Sequence, residues 1–160
     1  MEKPKIHRII PVVDALLTDG ARILFIRRTK EPFRDKLVLP GGHVEGADKS
    51  LEAACQREVR EEVGLDIALN RFKDLCLLST PGRDPRPGNE ASQVYHVLLT
   101  TKELDMARPG SDAREIVLHN MRDDLSHATI GFDHADAIEY YYELMQWLES
   151  LEEDDGWPGY

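Results

Sequence analysis

Residues 41–65 of the chain read GGHVEGADKSLEAACQREVREEVGL, and this stretch decides how the rest of the sequence is interpreted. Ser50 is a typical helix N-cap, and the residues after it are compatible with successive helical turns. Gly64 suits a left-handed C-terminal cap, which would end the helix there. The stretch therefore predicts a helix over Ser50–Val63 that follows a glycine-containing loop.

The predicted helix carries three carboxylates on one side. At about 100° per residue, Glu58, Glu61 and Glu62 fall within a sector of about 100°. Like charges at this spacing repel by about 0.2–0.5 kcal/mol on an exposed helix. A divalent cation would convert the repulsion into coordination, because Mg²⁺ and Mn²⁺ prefer carboxylate oxygens. The sector adjoins an apolar stripe that is expected to be buried, formed by Leu51, Cys55, Val59 and Val63.

The residues before the helix favour a binding site over an ordinary solvated face. A short predicted strand, Lys36–Leu39, runs through a proline into Gly41 and Gly42. Glycines let backbone carbonyls and amides approach a ligand closely. An acidic helix alone is usually a solvated face, with Arg57 and Glu61 as a plain ion pair. The double glycine in front of it therefore indicates a binding function.

The same residues resemble the Nudix box of Nudix hydrolases. The family pattern is Gly, five residues, Glu, seven residues, then Arg-Glu-aliphatic-x-Glu-Glu-x-Gly-aliphatic. Residues 57–65 read REVREEVGL and match every fixed position of the second half, and LPGG at 39–42 also matches. The resemblance covers roughly residues 7–150. It implies the Nudix fold, a mixed β-sheet sandwiched between α-helices in the α/β (α+β) class.

The resemblance also implies a role for each residue of the box. The expected metal ligands are Glu58, Glu62, the carbonyl of Gly41, and Glu61 either directly or through water. Arg57 is expected to orient a carboxylate through a bidentate pair, which needs a guanidinium fork. Glu61 and Arg57 are accordingly also candidate catalytic residues. The implied cofactor is Mg²⁺ or Mn²⁺, which neutralises diphosphate charge and lowers the pKa of a bound water.

The loop of the box is one residue longer than the family pattern. Counting back from Arg57 puts the first glutamate of the pattern on Lys49, whereas counting forward from Gly42 puts it on Asp48. We favour Asp48 in that position and Lys49 as the insertion. Gly42 and Asp48 are then expected to support the geometry of the loop and helix.

Hydrophobic patterns predict the other elements. Apolar or alternating runs indicate strands, and a one-sided apolar pattern indicates a second long helix. The predicted strands are Ile9–Leu17, Ala21–Arg28, Asp66–Ser79, Val94–Thr101 and Ala113–Leu118, the helix is Ala135–Leu151, and Thr80–Ser92 and Asp123–Phe132 are turn-rich or irregular. This order indicates a mixed sheet with helices packed on it. We predict one domain over residues 1–151 and an acidic tail over 152–160.

Candidate substrate-binding residues lie outside the box. Residues 83–86 read RDPR and resemble a loop of Nudix enzymes that hydrolyse ADP-ribose. Arg83 and Arg86 are expected either to clamp phosphates or a ribose, or to pair with the acidic surface. Phe132 is a candidate contact for a base or ribose. Arg27 and Arg28 end a strand near the expected mouth of the site, where one of them is a candidate to touch substrate and at least one is expected to be solvated at the strand edge.

Four further polar residues are assessed individually. Glu115 is a candidate catalytic base or metal-binding acid, with an ordinary surface strand as the alternative. Asp133 is expected to be the N-cap of the last helix. His43 and His96 have no partners at ligand spacing and receive no role.

Charge and cysteine content restrict the partners and the compartment. The formal net charge is −10 and the pI is about 5.0. Such a surface repels nucleic acid and anionic membranes, so neither is an expected partner. Cys55 and Cys76 are expected to be small buried residues of a reducing compartment. A cytoplasmic protein is predicted.

Together these features predict metal-dependent hydrolysis of a diphosphate linkage in a nucleoside diphosphate derivative. ADP-ribose, cleaved to AMP and ribose 5-phosphate, is favoured because of the resemblance at residues 83–86. Nucleoside triphosphates, dinucleoside polyphosphates and other nucleotide sugars are alternative substrates. A non-catalytic ADP-ribose-sensing Nudix domain and a protein-interaction domain are alternatives of other classes. A small-molecule nucleotide is the expected partner, and the resemblance also suggests a homodimer.

Overall fold

The computed structural model describes residues 8–110 and 115–153, with side chains up to residue 151. A group of strands, a helix, further strands and a long last helix follow one another, which is the predicted order. The strands are β1 (Ile10–Thr18), β2 (Arg22–Arg27), β3 (Leu37–Val38), β4 (Gly41–His43), β5 (Lys73–Leu78), β6 (Glu90–Leu98) and β7 (Glu115–Asn120), and the α-helices are α1 (Leu51–Val63), α2 (Thr101–Asp105) and α3 (His134–Glu153).

The strands form one seven-stranded mixed sheet. Its order is β3-β2-β1-β6-β5, with β4 also paired to β1 and β7 also paired to β2. β1 and β6 run parallel over their full lengths, from Ile10 opposite Glu90 to Thr18 opposite Leu98. The other pairings of these strands are antiparallel. The mixed sheet confirms the predicted fold class.

Each face of the sheet packs against one long helix. Side chains alternate along a strand, so neighbouring apolar residues enter opposite layers. Val13, Leu24 and Val97 lie in the core layer that contains the buried side of α1. Leu16 and Phe25 lie in the opposite layer with the buried side of α3. The sheet is therefore sandwiched between helices, as predicted.

Helix α1 begins and ends where the sequence predicts. The Ser50 hydroxyl accepts a hydrogen bond from the Ala53 N–H, and Gly64 is left-handed with φ 67°. The Gly64 N–H donates to the Arg60 carbonyl at 3.1 Å. Residues Ala54, Cys55, Val59 and Val63 are buried. The prediction is wrong for Leu51, which lies in the first turn and is 39% exposed.

Two elements were not predicted. Gly41–His43 forms strand β4 because it pairs with β1, placing Gly41 opposite Asp14 and Gly42 opposite Val13. Glycine has weak strand propensity, so this pairing depends on the neighbouring strand. Helix α2 is short and begins with a capping box between Thr100 and Glu103.

Some predicted boundaries differ from the structure. β6 begins at Glu90, earlier than predicted, and only Lys73–Leu78 of the predicted strand 66–79 is a strand. β7 begins at Glu115 and reaches Asn120. Its predicted start at Ala113 lies outside the described residues, as does the predicted tail from residue 154 onward. Tertiary pairing sets these ends more than local propensity does.

The two cysteines differ in burial. Cys55 is buried and Cys76 is half-buried, and both are free thiols. Burial raises the pKa of Cys76 to about 11 and raises that of Cys55 well above its ordinary value. In the described ranges, no helix is both long and apolar enough to cross a membrane.

Candidate active site

A cavity of about 210 Å³ lies beside β1, β4 and the beginning of α3. We call it the central cavity. Its walls are formed by residues that are far apart in the sequence, including residues of the box, of the RDPR loop and of the last helix. Its lining residues are Val12, Asp14, Ile26, Arg28, Val38, Leu39, Gly41, Gly42, His43, Glu62, Arg83, Asp84, Arg86, Glu90, Phe132 and His134.

Two box glutamates are held out of water next to the cavity. The Glu62 carboxylate accepts a hydrogen bond from the Gly41 N–H at 2.8 Å. Burial raises the pKa of Glu62 to about 8, with the Glu58 and Asp14 carboxylates adding to the shift and the Gly41 N–H opposing it. Burial also raises the pKa of Glu58, although Arg57 contacts it. Two desolvated carboxylates near each other favour binding of a cation.

The two glycines of β4 leave no room for a side chain next to β1 and Glu58. A Cβ atom at position 42 would lie 2.5 Å from Glu58 Oε1, and one at position 41 would lie 2.3 Å from Asp14 Oδ1. Both distances are shorter than any real carbon–oxygen contact of this kind. The double glycine therefore lets the carboxylates lie directly against the strand backbone.

The donor set fits a hard divalent cation. Glu58, Glu62 and the adjacent backbone of Gly41 offer oxygen atoms, which Mg²⁺ and Mn²⁺ prefer. Within residues 8–110 and 115–153, no three His, Cys, Asp or Glu side chains already converge on one point. The Glu61 carboxylate is 57% exposed and lies 3.3 Å from Arg57. Coordination by all three glutamates stays a prediction.

Arg57 organises the loop of the box. Its Nε and Nη2 donate to the two Asp48 oxygens at 3.0 and 2.9 Å. Its Nη1 donates to Glu58 Oε1 at 2.8 Å, and its Nη2 also donates to the His43 carbonyl. These hydrogen bonds raise the pKa of Arg57, that from Asp48 most. The predicted bidentate pair is thus present, and it joins the loop to a candidate metal ligand.

Asp48 and Lys49, the two candidates for the first acidic position of the box, have different surroundings. Asp48 contacts Arg57 and also accepts a hydrogen bond from the Glu45 N–H at 2.8 Å. Lys49 is exposed. Asp48, rather than Lys49, contacts Arg57, which supports its assignment to the supporting position.

We expect Asp48→Ala to lower the free energy of unfolding by about 1–3 kcal/mol, because Arg57 loses both hydrogen bonds of its bidentate partner. Lys49→Ala should change it by less than about 0.5 kcal/mol, since an exposed side chain is removed. Urea denaturation of both variants measures the difference. A larger cost for Lys49→Ala would assign the supporting position to Lys49.

The two arginines of the RDPR loop are already paired with carboxylates. Arg83 Nη2 lies 2.6 Å from Asp133 Oδ1, and its side chain is only 3% exposed. Arg86 donates to both Asp84 oxygens and lies 3.9 Å from Glu90. Arg86 keeps the pKa of Asp84 below its ordinary value although burial opposes this. Pairing with acidic residues was one of the two predicted roles, and both arginines also line the central cavity.

Arg28 is the lining arginine most available to an anionic ligand. Its Nε donates to the Pro32 carbonyl at 2.7 Å, and its guanidinium lies 5.0 Å from the Phe132 ring centroid. In the part of the chain that the structure describes, it contacts no carboxylate. Burial lowers the pKa of Arg28, and nearby Arg86 lowers it further. An anion beside Arg28 would relieve both effects.

Arg27 and Glu115 lie outside the central cavity. They are directly opposite each other in the β2–β7 pairing, so their side chains emerge on the same face. Arg27 Nε donates to Glu115 Oε2 at 2.8 Å, and the Glu115 side chain is 51% exposed. The structure thus brings Arg28, but not Arg27 or Glu115, to the cavity lining.

Asp133 occupies the predicted N-cap position, and its carbonyl accepts from the Asp136 N–H at 3.0 Å. Asp133 directly precedes α3, but its carboxylate accepts hydrogen bonds from Arg83 rather than from the helix N–H groups. The buried guanidinium needs a counter-charge, and this need outweighs capping.

Sequence reasoning missed Asp14 and His134, which are buried at the cavity wall. His134 Nε2 lies 3.3 Å from Asp14 Oδ2, which also accepts a hydrogen bond from the Ser92 hydroxyl. A signal for Asp14 was present, because it is a lone acid inside an apolar strand. His43, which was given no role, lies 2.8 Å from Glu90 at the same cavity.

Known proteins resemble both the sequence and this architecture. Residues 8–141 match the NUDIX domain family. An ADP-ribose pyrophosphatase of Methanocaldococcus jannaschii is 34% identical over 136 residues, covering 84% of this chain and 72% of the relative. A MutT/nudix family protein from Enterococcus faecalis superimposes with a TM-score of 0.74 at 27% identity, over 89% of this chain and 64% of that one. The NUDIX domain of Shewanella oneidensis NrtR, complexed with ADP ribose, gives 0.73 at 23% identity, over 88% and 90%.

The chain belongs to the NUDIX domain family, since the match covers most of its length and includes the box and the central cavity. Within that family it is a Nudix pyrophosphohydrolase, the class that the family match and the archaeal relative support. It spans less than two thirds of the length of the Enterococcus faecalis chain.

Proposed function

We propose that this protein hydrolyses the diphosphate linkage of ADP-ribose to AMP and ribose 5-phosphate, using Mg²⁺ or Mn²⁺. The observation that carries the proposal is the pair of desolvated box glutamates, Glu58 and Glu62, lying against the double glycine beside the cavity. The similarity to an archaeal ADP-ribose pyrophosphatase supports the choice of substrate.

The cation would be held by Glu58, Glu62 and the Gly41 carbonyl, with Glu61 binding directly or through water. When bound, it supplies charge neutralisation for the diphosphate and a water of lowered pKa. Arg57 keeps Glu58 oriented through its 2.8 Å contact while Asp48 holds the guanidinium from the other side. The loop of the box and the Glu58 side chain are therefore held in place before substrate binds.

The substrate would lie between the box and the arginines of the opposite wall. Arg28 and Phe132 form a stacked pair that offers one charge and one aromatic ring to a phosphate and to a base or ribose. Arg83 and Arg86 would bind phosphate or ribose oxygens while they exchange or share their aspartate partners. Arg27 would contribute only at the outer edge. These local cations offset a protein whose net charge is −10.

Two residues are candidates for the catalytic base, Glu61 and Glu115. We expect Glu61→Gln to lower kcat by about 100-fold or more, the range of general-base catalysis. Glu115→Gln should change kcat by less than about threefold, because Glu115 pairs with Arg27 outside the cavity. Steady-state kinetics of both variants at saturating metal measures this. A greater loss in Glu115→Gln would make Glu115 the base.

The deciding experiment is a substrate panel in Mg²⁺ containing ADP-ribose, a dinucleoside polyphosphate and a nucleoside triphosphate, with products separated by chromatography. We expect AMP and ribose 5-phosphate from ADP-ribose at the highest kcat/KM. Preferred release of products from another member would replace ADP-ribose as the substrate. Tight ADP-ribose binding without turnover of any member would make the protein a sensor. Absence of both binding and turnover in a folded, metal-bound protein would refute the proposal.

We also propose a cytoplasmic homodimer that does not use nucleic acid as a partner. Support for self-association comes from α3, where Tyr140, Trp147 and Leu148 are 46%, 56% and 41% exposed. Large apolar side chains on one helix are typical of a contact surface. Analytical ultracentrifugation at micromolar concentration tests this, and a monomer would contradict it.

A further inference from the structure

His134, the first residue of α3, has a polar partner at each ring nitrogen, a backbone N–H on one side and a carboxylate on the other. It is 3% exposed. Its Nδ1 accepts from the Leu39 N–H at 3.0 Å, and its Nε2 lies 3.3 Å from Asp14 Oδ2. His134 also lines the central cavity, next to Gly41 and Glu62.

The two contacts fix the form of the imidazole. A backbone N–H can only donate, so Nδ1 facing Leu39 must carry a lone pair. The ring proton therefore lies on Nε2, which faces the Asp14 carboxylate at 3.3 Å. Asp14 is oriented in turn by the Ser92 hydroxyl. The imidazole thus accepts a hydrogen bond from the turn between β3 and β4 and presents its N–H to Asp14 of β1.

The acceptor side of His134 holds the turn that presents the double glycine. Residues 39–41 of this turn supply only two backbone N–H donors, because Pro40 has none. The Leu39 N–H donates to His134, and the Gly41 N–H donates to Glu62 at 2.8 Å. The Pro40 carbonyl accepts from the Ala15 N–H at 2.8 Å. Loss of the His134 contact would leave the turn held by Glu62 and by β1, without the attachment to α3 that His134 provides.

Three consecutive residues connect the last helix to three walls of the cavity. Phe132 contacts Arg28 at the end of β2, and Asp133 binds Arg83 of the RDPR loop. His134 reaches β1 and the turn before the box. Phe132 has a φ of 53°, an unusual left-handed conformation for a bulky residue. Such a conformation persists where surrounding contacts over-determine it, which is the case here.

We propose that His134 is a positioning residue for the cation site, acting through the Leu39 N–H to place Gly41 and Gly42 against the box glutamates. The inference rests on the proposed function for its consequence in metal binding, but the contact itself can be tested without metal. The start of α3 would thereby position residues of the box, although the two segments are far apart in the sequence.

The metal-free test is amide hydrogen exchange of Leu39 and Gly41, measured by NMR in three variants. His134→Phe keeps a ring but has no acceptor, so exchange at Leu39 should become about tenfold faster, and Gly41 should follow. His134→Asn places a carbonyl oxygen close to the position of Nδ1 and should restore most of the protection. The matched control is His96→Phe, because His96 also packs against α3 but its buried Nε2 has no hydrogen-bond partner. It should leave both amides unchanged.

The second test is Mn²⁺ binding to the same full-length variants, followed by electron paramagnetic resonance. We expect His134→Phe to raise the dissociation constant by about 10–100-fold, the range for residues that orient metal ligands. His134→Asn should recover most of the affinity, and His96→Phe should bind as the unmodified protein does. In kinetics, the loss in His134→Phe should be partly overcome by raising the metal concentration.

The outcomes separate the two proposals. If the unmodified protein binds no Mn²⁺, the proposed function fails, while accelerated exchange in His134→Phe would still support the positioning contact. Unchanged exchange at Leu39 in His134→Phe would overturn the inference, as would unaltered Mn²⁺ affinity in that variant. Equal effects of His134→Phe and His96→Phe would also overturn it, because loss of any buried imidazole would then suffice. If His134→Phe does not fold, failure of His134→Asn to keep Leu39 protected would decide against the inference.

Discussion

Replacing Glu62 by Gln is expected to lower ADP-ribose turnover by about 100-fold or more while leaving the protein folded. Loss of one anionic metal ligand removes several kcal/mol of charge stabilisation, and each 1.36 kcal/mol is a factor of ten in rate. Glutamine keeps an oxygen that can accept from the Gly41 N–H. It carries no charge, so the burial that raises the Glu62 pKa no longer opposes folding. Metal-free stability should therefore be equal or higher.

The control is Glu149→Gln, the same chemical change at an exposed position of α3. It should alter neither turnover nor stability. Turnover is measured by product release at saturating Mg²⁺, and stability by thermal unfolding without metal. Retained turnover in Glu62→Gln would remove Glu62 from the ligand set. A large loss of stability would instead make Glu62 a structural residue.

Asp133→Asn should be the most destabilising of the charge-removing substitutions considered, costing about 3–5 kcal/mol in the free energy of unfolding. The reason is that the Arg83 guanidinium stays buried without its counter-charge. Arg83 is 3% exposed, and Asp133 raises its pKa although burial opposes this. The double variant Arg83→Met/Asp133→Leu should regain most of the loss, because it removes both charges together.

Asp66→Asn is the matched control for this prediction. Asp66 pairs with Arg60 at 2.8 Å, but the two side chains are 80% and 56% exposed. Exposed pairs contribute at most about 1 kcal/mol. Urea denaturation of the variants compares the two sites directly. Equal costs for Asp133→Asn and Asp66→Asn would mean that water reaches the Arg83–Asp133 pair, and Arg83 would then be freer to bind substrate.

The local elements were predictable where short-range chemistry specifies them. Helix α1 was predicted with both caps, since Ser50 and Gly64 act within a few residues of themselves. β4 and α2 were not predicted, each for a different reason. β4 consists of residues that form a strand only because β1 lies beside them. α2 is too short for periodicity to reveal it.

The residues of the candidate site also form two groups, those predicted from local sequence and those that depend on tertiary contacts. The box residues were found because their spacing lies within one helix and its preceding loop, and Asp48 contacts Arg57 as the favoured register requires. Asp14 and His134 were missed because their meaning depends on a contact between residues at opposite ends of the domain. Arg27 and Arg28 are adjacent in sequence, yet alternation along β2 sends them to different surroundings.

By itself the sequence determined the family, the helix with its three glutamates and the double glycine before it, since these are local patterns read within 25 consecutive positions, 41–65. Only the tertiary structure decided which charges are free. It paired Arg83 with Asp133, Arg86 with Asp84 and Arg27 with Glu115, and it left Arg28 without a carboxylate partner at the cavity in the part of the chain described. The physical reason is that charge pairing depends on distance and burial, which residues far apart in sequence acquire only when the sheet and helices pack.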